Sequence, residues 1–317
     1  MFSSSQKKLI SHFENCVKSG TLRQSYIIKG EKGLGKKTAV QKIAQYIMCQ
    51  TGSACGICNG CQSVKTGAHP DYAIISNEDK KVIAVDKLRA MKKEVFTKPI
   101  MSKYRLFIIE NAHLLDPPGQ NAILKIIEEP PSYAVFIFIC DNLNSILPTI
   151  ISRSHILDLE KWSNEDLKKA LPLPKDKEYM YSYSMGSIGA LKELSQDVEF
   201  ADLRHGVIKT FVDLMGTNEL SLYDAIDFWL FNAENKEKLI EILILFLRDV
   251  MLFKTSLPNL VANSDKLKEI QAVSDKITLK KAFEMLKIAN NAPKMMGKYG
   301  NFKMAAQTLL IQLSCVH

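Results

Sequence analysis

Apolar residues fall along this chain in two manners, and the change from one to the other divides it. In the first half, short apolar runs bounded by glycine, proline or charge alternate with stretches of helical spacing. Ser25-Tyr-Ile-Ile-Lys29 is such a run and ends at Gly30, after which Lys36 to Met48 sets Ala39, Val40, Ile43, Ala44 and Ile47 on one side of a helix. Asp71 to Ile75 reads as a strand, Val85 to Val95 as a helix, and Arg105 to Glu110 as a strand almost without polar alternation. A helix from about Pro118 to Glu129 is stopped by Pro130-Pro131, and Ala134 to Ile139 forms a further buried run. Strands that are apolar on both faces suit a parallel sheet covered on both sides. Their alternation with helices predicts a doubly wound α/β sheet.

From Trp162 onward the strand signal fades and helical spacing takes over, with a loop at Leu171-Pro-Leu-Pro-Lys175. Apolar stripes run through Leu239 to Phe253 and Met304 to Leu313, and turn signals stand near Pro258 and Gly297-Lys-Tyr-Gly300. With 317 residues the chain exceeds one small core. The pattern predicts an α/β domain over 1–160, a small helical lid over 161–204 and an all-α domain over 205–317. The longest apolar run, Leu239 to Leu247, is broken by Glu241 and falls short of the roughly 20 residues a membrane span needs. The N-terminal residues lack the apolar core of a secretory signal, so a cytoplasmic location is expected. A formal charge of +8 is compatible with a nucleic-acid or acidic partner but is spread along the chain.

Two short segments carry the chemistry. Gly30-Glu-Lys-Gly33-Leu-Gly35-Lys36 lies between a strand and a helix, where glycine N–H groups can wrap phosphate oxygens and a lysine at the helix N-terminus adds charge. A glycine turn that only caps the helix remains the plainer alternative. A complete phosphate loop follows its lysine with Ser or Thr to ligate Mg²⁺; here Lys37 stands there and Thr38 comes one residue late. The matching strand ends in Ile109-Glu110-Asn111, where Asn111 has no carboxylate to orient water and Glu110 is a methylene longer than the Asp that holds Mg²⁺. Hydrolysis is therefore not expected. Whether ATP binds stays open, because Lys36 and three glycines can grip phosphates without a metal.

Cys49, Cys55, Cys58 and Cys61 follow at one helix's distance. Four thiolates fill the tetrahedral shell of Zn²⁺ and leave no open position, which predicts a structural metal site; reduced thiols or a redox pair are the alternatives. Gly52, Gly56 and Gly60 are read as easing the turns between them. Cys16, Cys140 and Cys315 are isolated and read as small apolar residues.

These residues resemble the AAA+ subunits of bacterial DNA polymerase III clamp loaders, and within them the delta-prime type. The likeness is carried by the phosphate loop, the cysteine knuckle with Gly67-Ala-His-Pro-Asp71, Val85-Asp-Lys-Leu-Arg89, Asn121 to Pro131 and Ser152-Arg-Ser154, running almost continuously from Lys29 to Leu159. A weaker echo, Gly300 to Leu310, resembles the family's C-terminal oligomerisation helix. The resemblance implies an AAA+ domain, a helical lid and a helical collar, in a five-membered ring with ATPase subunits and a delta subunit that loads the sliding clamp onto primed DNA. It further implies a subunit that does not hydrolyse ATP itself. Consistent with that type, the sensor-1 position near Cys140-Asp141 lacks the usual Thr, and Gly186 to Leu191 lacks a sensor-2 arginine. It implies too that Arg153, with Ser152, serves as an arginine finger in a neighbour's ATP site, Ser154 replacing the family's cysteine. Lys92, Lys93, Lys98 and Lys103 form a basic stretch, either a DNA contact by analogy or a solvated face. The other readings are an active gamma/tau-type motor of the same machine, or a zinc-bearing nucleic-acid module outside any ring.

Overall fold

The computed structural model describes residues 1–76, 85–216, 220–257, 260–299 and 301–316. The turn signals at Pro258 and Gly300 lie outside the described residues. Two compact units are present, one of Met1–Pro172 with Ser184–Ala190, the other of Leu173–Tyr183 with Leu191–His317.

The first unit runs α1 (Ser4–Ser19), β1 (Ser25–Lys29), α2 (Lys36–Met48), α3 (Asn59–Thr66), β2 (Tyr72–Ile75), α4 (Val85–Val95), β3 (Arg105–Ile109), α5 (Pro117–Glu128), β4 (Ala134–Cys140), α6 (Pro148–Arg153), β5 (His155–Asp158) and α7 (Asn164–Ala170). The five strands form one sheet in the order β2-β3-β4-β1-β5, and every pairing is parallel. Ile27, Phe107, Phe136 and Phe138 are almost wholly buried, and the rings of Phe107 and Phe136 stack at 5.3 Å. Fully burying each such side chain stabilises the fold by about 1.5–3 kcal/mol, and the polar residues of these strands, Ser25, Lys29 and Arg105, stand at strand ends. Helix α5 starts one residue earlier than the sequence pattern suggests. Asp116 accepts from the Gly119 N–H and two prolines fill the first turn, where a missing N–H costs nothing.

Helices α1, α3 and α6 and strand β5 escape the sequence pattern. Helix α1 opens with a capping box, in which Gln6 N–H donates to Ser3 Oγ and Ser3 N–H donates to Gln6 Oε1. Strand β5 pairs with β1 in the register Tyr26 opposite His155 through Lys29 opposite Asp158. Because all strands run one way, the sheet has two chemically different edges. The phosphate loop, Glu110 and Asp141 follow the C-terminal ends of β1, β3 and β4. Arg23 and Arg153 precede the N-terminal ends of β1 and β5.

The second unit is helical: α8 (Tyr179–Tyr183), the end of α9 (Ile188–Gln196), α10 (Phe200–Leu214), α11 (Leu220–Phe231), α12 (Lys236–Lys254), α13 (Leu267–Lys276), α14 (Leu279–Tyr299) and α15 (Phe302–Val316). Leu239, Leu243, Phe246 and Trp229 fill its core. Arg204 is buried there, its guanidinium 3.7 Å from the Tyr179 ring centroid, with Nε donating to Asn263 and both terminal nitrogens to Asp265. The signal at Gly297 does not end a helix, since α14 continues through Tyr299. Packing of Ala282, Met285 and Ala289 carries a glycine that alone costs about 1 kcal/mol.

Candidate functional site

The phosphate loop is tied down by its own chain. Gln6 Nε2 donates to the Leu34 and Gly35 carbonyls at 3.1 Å each, and Trp162 Nε1 donates to the same Leu34 carbonyl at 3.1 Å. The Gly189 N–H donates to the Gly33 carbonyl at 2.9 Å. Gly33 sits at φ 81°, and a Cβ there would meet Ser187 Oγ at 2.2 Å, so only glycine fits between loop and segment. Gly35 also has positive φ and caps α2, while Gly30 packs against the Leu159 carbonyl.

Lys36, expected to reach for phosphate, is almost wholly buried and saturated. Its Nζ donates to the Gly30 carbonyl, to the Glu31 carbonyl at 2.8 Å and to Asp141 Oδ1 at 2.7 Å. Asp141 is further held by His113, whose Nδ1 accepts from the Asp141 N–H at 3.3 Å. Beside this group, Lys37 Nζ lies 2.6 Å from Glu110 Oε2. The lysine that replaces the Mg²⁺-binding hydroxyl thus faces the carboxylate that replaces the Mg²⁺-binding Asp. Asn111 follows in the left-handed region at φ 51° and starts a short helical turn over Ala112–Leu114.

The four knuckle cysteines bring their sulfurs within 4.8 Å of one another, with Cys49 to Cys55 at 3.7 Å and Cys49 to Cys58 at 3.9 Å. Sulfurs about 2.3 Å from one tetrahedral centre lie about 3.8 Å apart, so these thiols fit a metal ion. Burial pushes Cys49 up, but the Thr51 hydroxyl and backbone amides outweigh it and bring the thiol down to about 5. Cys58 is lowered by the Cys61 amide against the same burial effect, whereas burial and the neighbouring sulfurs raise Cys61 to about 12. Cys49 and Cys58 are thus biased toward the thiolate, whereas Cys61 needs a cation in the cluster to lose its proton. Gly52 and Gly56 take positive φ as turns require, but Gly60 is helical, and its role differs from the one the sequence suggests. A Cβ at Gly60 would meet the Met48 carbonyl at 2.2 Å, so it lets α3 close onto the end of α2. Of the isolated cysteines, Cys140 is buried as expected and raised to about 11 by that burial, while Cys315 is exposed. The exposure corrects its reading as a buried residue, since it lies at the end of α15 and not on the face carrying Leu309 and Leu313.

Ser152 and Arg153 end α6 at the opposite edge of the sheet. Arg153 donates to the Thr149 carbonyl at 3.2 Å and pairs with Glu128 at 3.2 Å, both side chains partly exposed. Ser152 Oγ donates to the same carbonyl at 3.1 Å, and Ser154 meets Ser25 Oγ at 2.7 Å. Of the sequence-distant partners, Asp141 stands at the sensor-1 position and Glu128 lies within the Asn121 to Pro131 segment, whereas Gln6 and Trp162 belong to no chemical motif. Only the capping box at Ser3 and Gln6 could have drawn attention to one of them. No described helix is long and apolar enough to cross a membrane.

Comparison with known proteins now adds identity. The family model "DNA polymerase III, delta subunit" matches residues 5–163, half of the chain, and that of its C-terminal domain matches 199–313. Subunit delta' of DNA polymerase III from Bacillus subtilis is 26% identical over 270 residues, covering 83% of this chain and 80% of that protein. Subunit gamma/tau from Mycobacterium bovis is 31% identical over 153 residues, 47% of this chain, and the match spans only 26% of that protein. Subunit tau of Bacillus subtilis is 24% identical over 319 residues, covering 90% of this chain and 56% of that one. Sheet, loop and helical second unit agree with these matches: the chain belongs to the DNA polymerase III delta subunit family.

Proposed function

We propose that this chain is a non-hydrolysing, delta-prime-type subunit of the bacterial clamp loader. In this reading it assembles with ATPase subunits and a delta subunit in a five-membered ring, acts in the cytoplasm during DNA replication, and helps place the sliding clamp on primed DNA. The observation that carries the reading is the Lys37–Glu110 pair at 2.6 Å, which puts a side-chain ammonium in the place of Mg²⁺. Without Mg²⁺ the charge developing on a transferring phosphoryl group has no counter-ion, and Asn111 offers no base for the attacking water. Lys36 adds to this, since a nucleotide would have to strip it from Asp141 and two carbonyls.

Arg153 serves a neighbour rather than its own loop. It lies across the sheet from Gly30, and the five residues of β1 span about 17 Å at 3.4 Å each. A guanidinium suits this duty because it is always charged and meets phosphate oxygens with a planar fork. The domain division at about 160 and 204 is retained as part of the proposal, with the last part as the collar. Structural Zn²⁺ is proposed for the knuckle; metal analysis of the purified protein is expected to give one zinc per chain, lost in Cys58→Ser.

The test is steady-state hydrolysis of Mg²⁺-ATP by the chain alone and in a reconstituted ring. No turnover alone, and a slowed ring with Arg153→Ala, are the expected results. The gamma/tau identity over the first half favours a second reading, an active motor. Turnover by the chain alone that disappears in Lys36→Ala would establish that reading and overturn the first.

A further inference from the structure

The N-terminal edge of the sheet holds a cavity of about 280 Å³ whose walls include Arg23, Ser25, Glu128, Arg153, Ser154 and His155. Two arginines reach it from separate elements, Arg23 from the turn before β1 and Arg153 from the end of α6. One carboxylate answers them, and Glu128 is already engaged by Arg153 at 3.2 Å. Arg23 makes no ion pair with any described residue. Its backbone is fixed, since its N–H donates to the buried Tyr26 hydroxyl at 2.8 Å. The wall's hydroxyls are already committed: Ser154 Oγ donates to the Ile150 carbonyl at 2.8 Å and so accepts from Ser25 Oγ at 2.7 Å, which fixes the wall without adding a donor for a guest. His155 stacks on His12 with ring centroids 5.6 Å apart. Burial, the Arg23 charge and His12 hold His155 below its ordinary value, so near neutral pH the ring is uncharged and can donate from one nitrogen.

The chemistry of this wall selects a guest. Two guanidiniums against one carboxylate leave an uncompensated positive charge, and guanidinium and imidazole donors suit a guest rich in acceptor oxygens. The volume lies at the small end of ligand pockets, roughly 300–1,000 Å³, which suits phosphate groups with the rest of the molecule outside. We infer that Arg23 is a second phosphate-contacting residue, acting beside Arg153 on the terminal phosphates of a nucleotide held by a neighbouring chain. The inference rests on the reading of Arg153 as a finger. Glu128 then acts as a place-holder: it keeps Arg153 at the cavity until phosphate oxygens, with Arg23 already unengaged, compete for the guanidinium.

The test reconstitutes the complete ring with Arg23→Ala, Arg23→Lys or Arg153→Ala in this chain and measures ATP hydrolysis, with assembly checked by gel filtration. Arg23→Ala is expected to slow the assembled ring about tenfold, the scale of one charge-assisted hydrogen bond, and Arg23→Lys to recover part of the loss. Full turnover with Arg23→Ala while Arg153→Ala is slow would overturn the inference and leave the finger standing. Full turnover with both would overturn the finger as well. A second readout uses the isolated chain and inorganic pyrophosphate, following the His155 ring by NMR. Saturable binding should raise the His155 titration midpoint, because an anion enters beside it, and Arg23→Ala should abolish the change. No saturable shift in the unaltered chain would overturn the cavity as a phosphate site. Arg23→Ala also removes a charge that lowers His155 and so raises the starting midpoint; the readout is the further change on adding pyrophosphate, which a merely structural role for Arg23 would leave intact.

Discussion

At the C-terminal edge of the sheet Lys36 and Lys37 meet Asp141 and Glu110, one acid for each base, at 2.7 and 2.6 Å. At the N-terminal edge Arg23 and Arg153 face a single carboxylate, Glu128, and only Arg153 is paired with it. Both edges have basic residues and glycine- or serine-rich turns, yet they differ in charge balance and in cover. The first is also roofed by Trp162, Gln6 and Gly189 on the loop carbonyls. The second is open and lacks a second acid. A phosphate arriving at the closed edge must displace satisfied partners, whereas one arriving at the open edge supplies a missing partner. If the proposed function holds, this asymmetry lets the chain lend a cation outward while its own loop stays engaged.

The contrast can be broken at four places. The largest effect is expected from Arg153→Ala, which should lower hydrolysis by the reconstituted ring by up to about 10³-fold, the lower end of arginine-finger effects in GTPase systems. Assembly should persist, because the side chain is partly exposed and packs no core. Next, Gln6→Ala removes the donor to Gly35 and the capping box of α1, and should cost about 1–3 kcal/mol. Urea unfolding should show a lower midpoint at unchanged slope.

Third in size is Lys37→Thr, which restores the hydroxyl and leaves Glu110 without its ammonium partner. The pair is half open to water, with the Lys37 side chain 61% exposed, so the cost should be only about 0.5–1 kcal/mol. Thermal melts with and without MgCl₂ should then show a Mg²⁺-dependent gain in the variant and none in the unaltered chain; equal behaviour of the two would mean that Lys37 does not occupy the metal's place. Smallest is Glu128→Gln, expected to change stability by less than about 0.5 kcal/mol, since both partners of its ion pair are partly exposed. Pyrophosphate affinity should nonetheless rise, because the internal competitor is gone.

Which parts of this contrast could be read from residues alone follows from how local each signal is. Strands β1, β3 and β4 were legible because burial on both faces confines polar residues to the strand ends, and α2 because its stripe and its glycine start agree. The knuckle was legible because four closely spaced thiols have few uses. Strand β5 was not, since His155-Ile-Leu-Asp158 is short, half-buried and at the sheet's edge. The defects at Lys37 and Asn111 could be seen as missing groups, but what replaced them could not. The partner of Lys36 lies 105 positions away, and that of Arg153 lies 25 positions back on another helix. Charge pairing across a fold leaves no periodic trace, so the closed and open edges appear only once the strands are aligned.

The Trp162 contact also makes this chain an optical instrument. It has only two tryptophans, and the other, Trp229, is buried in the helical unit. The Trp162 indole is 5% exposed and donates directly to the phosphate loop. Any event that lifts the loop must wet that ring and break its N–H bond, which shifts indole emission to longer wavelength. In a Trp229→Phe background, one fluorescence channel would therefore report loop opening in the isolated chain in real time and without an added dye.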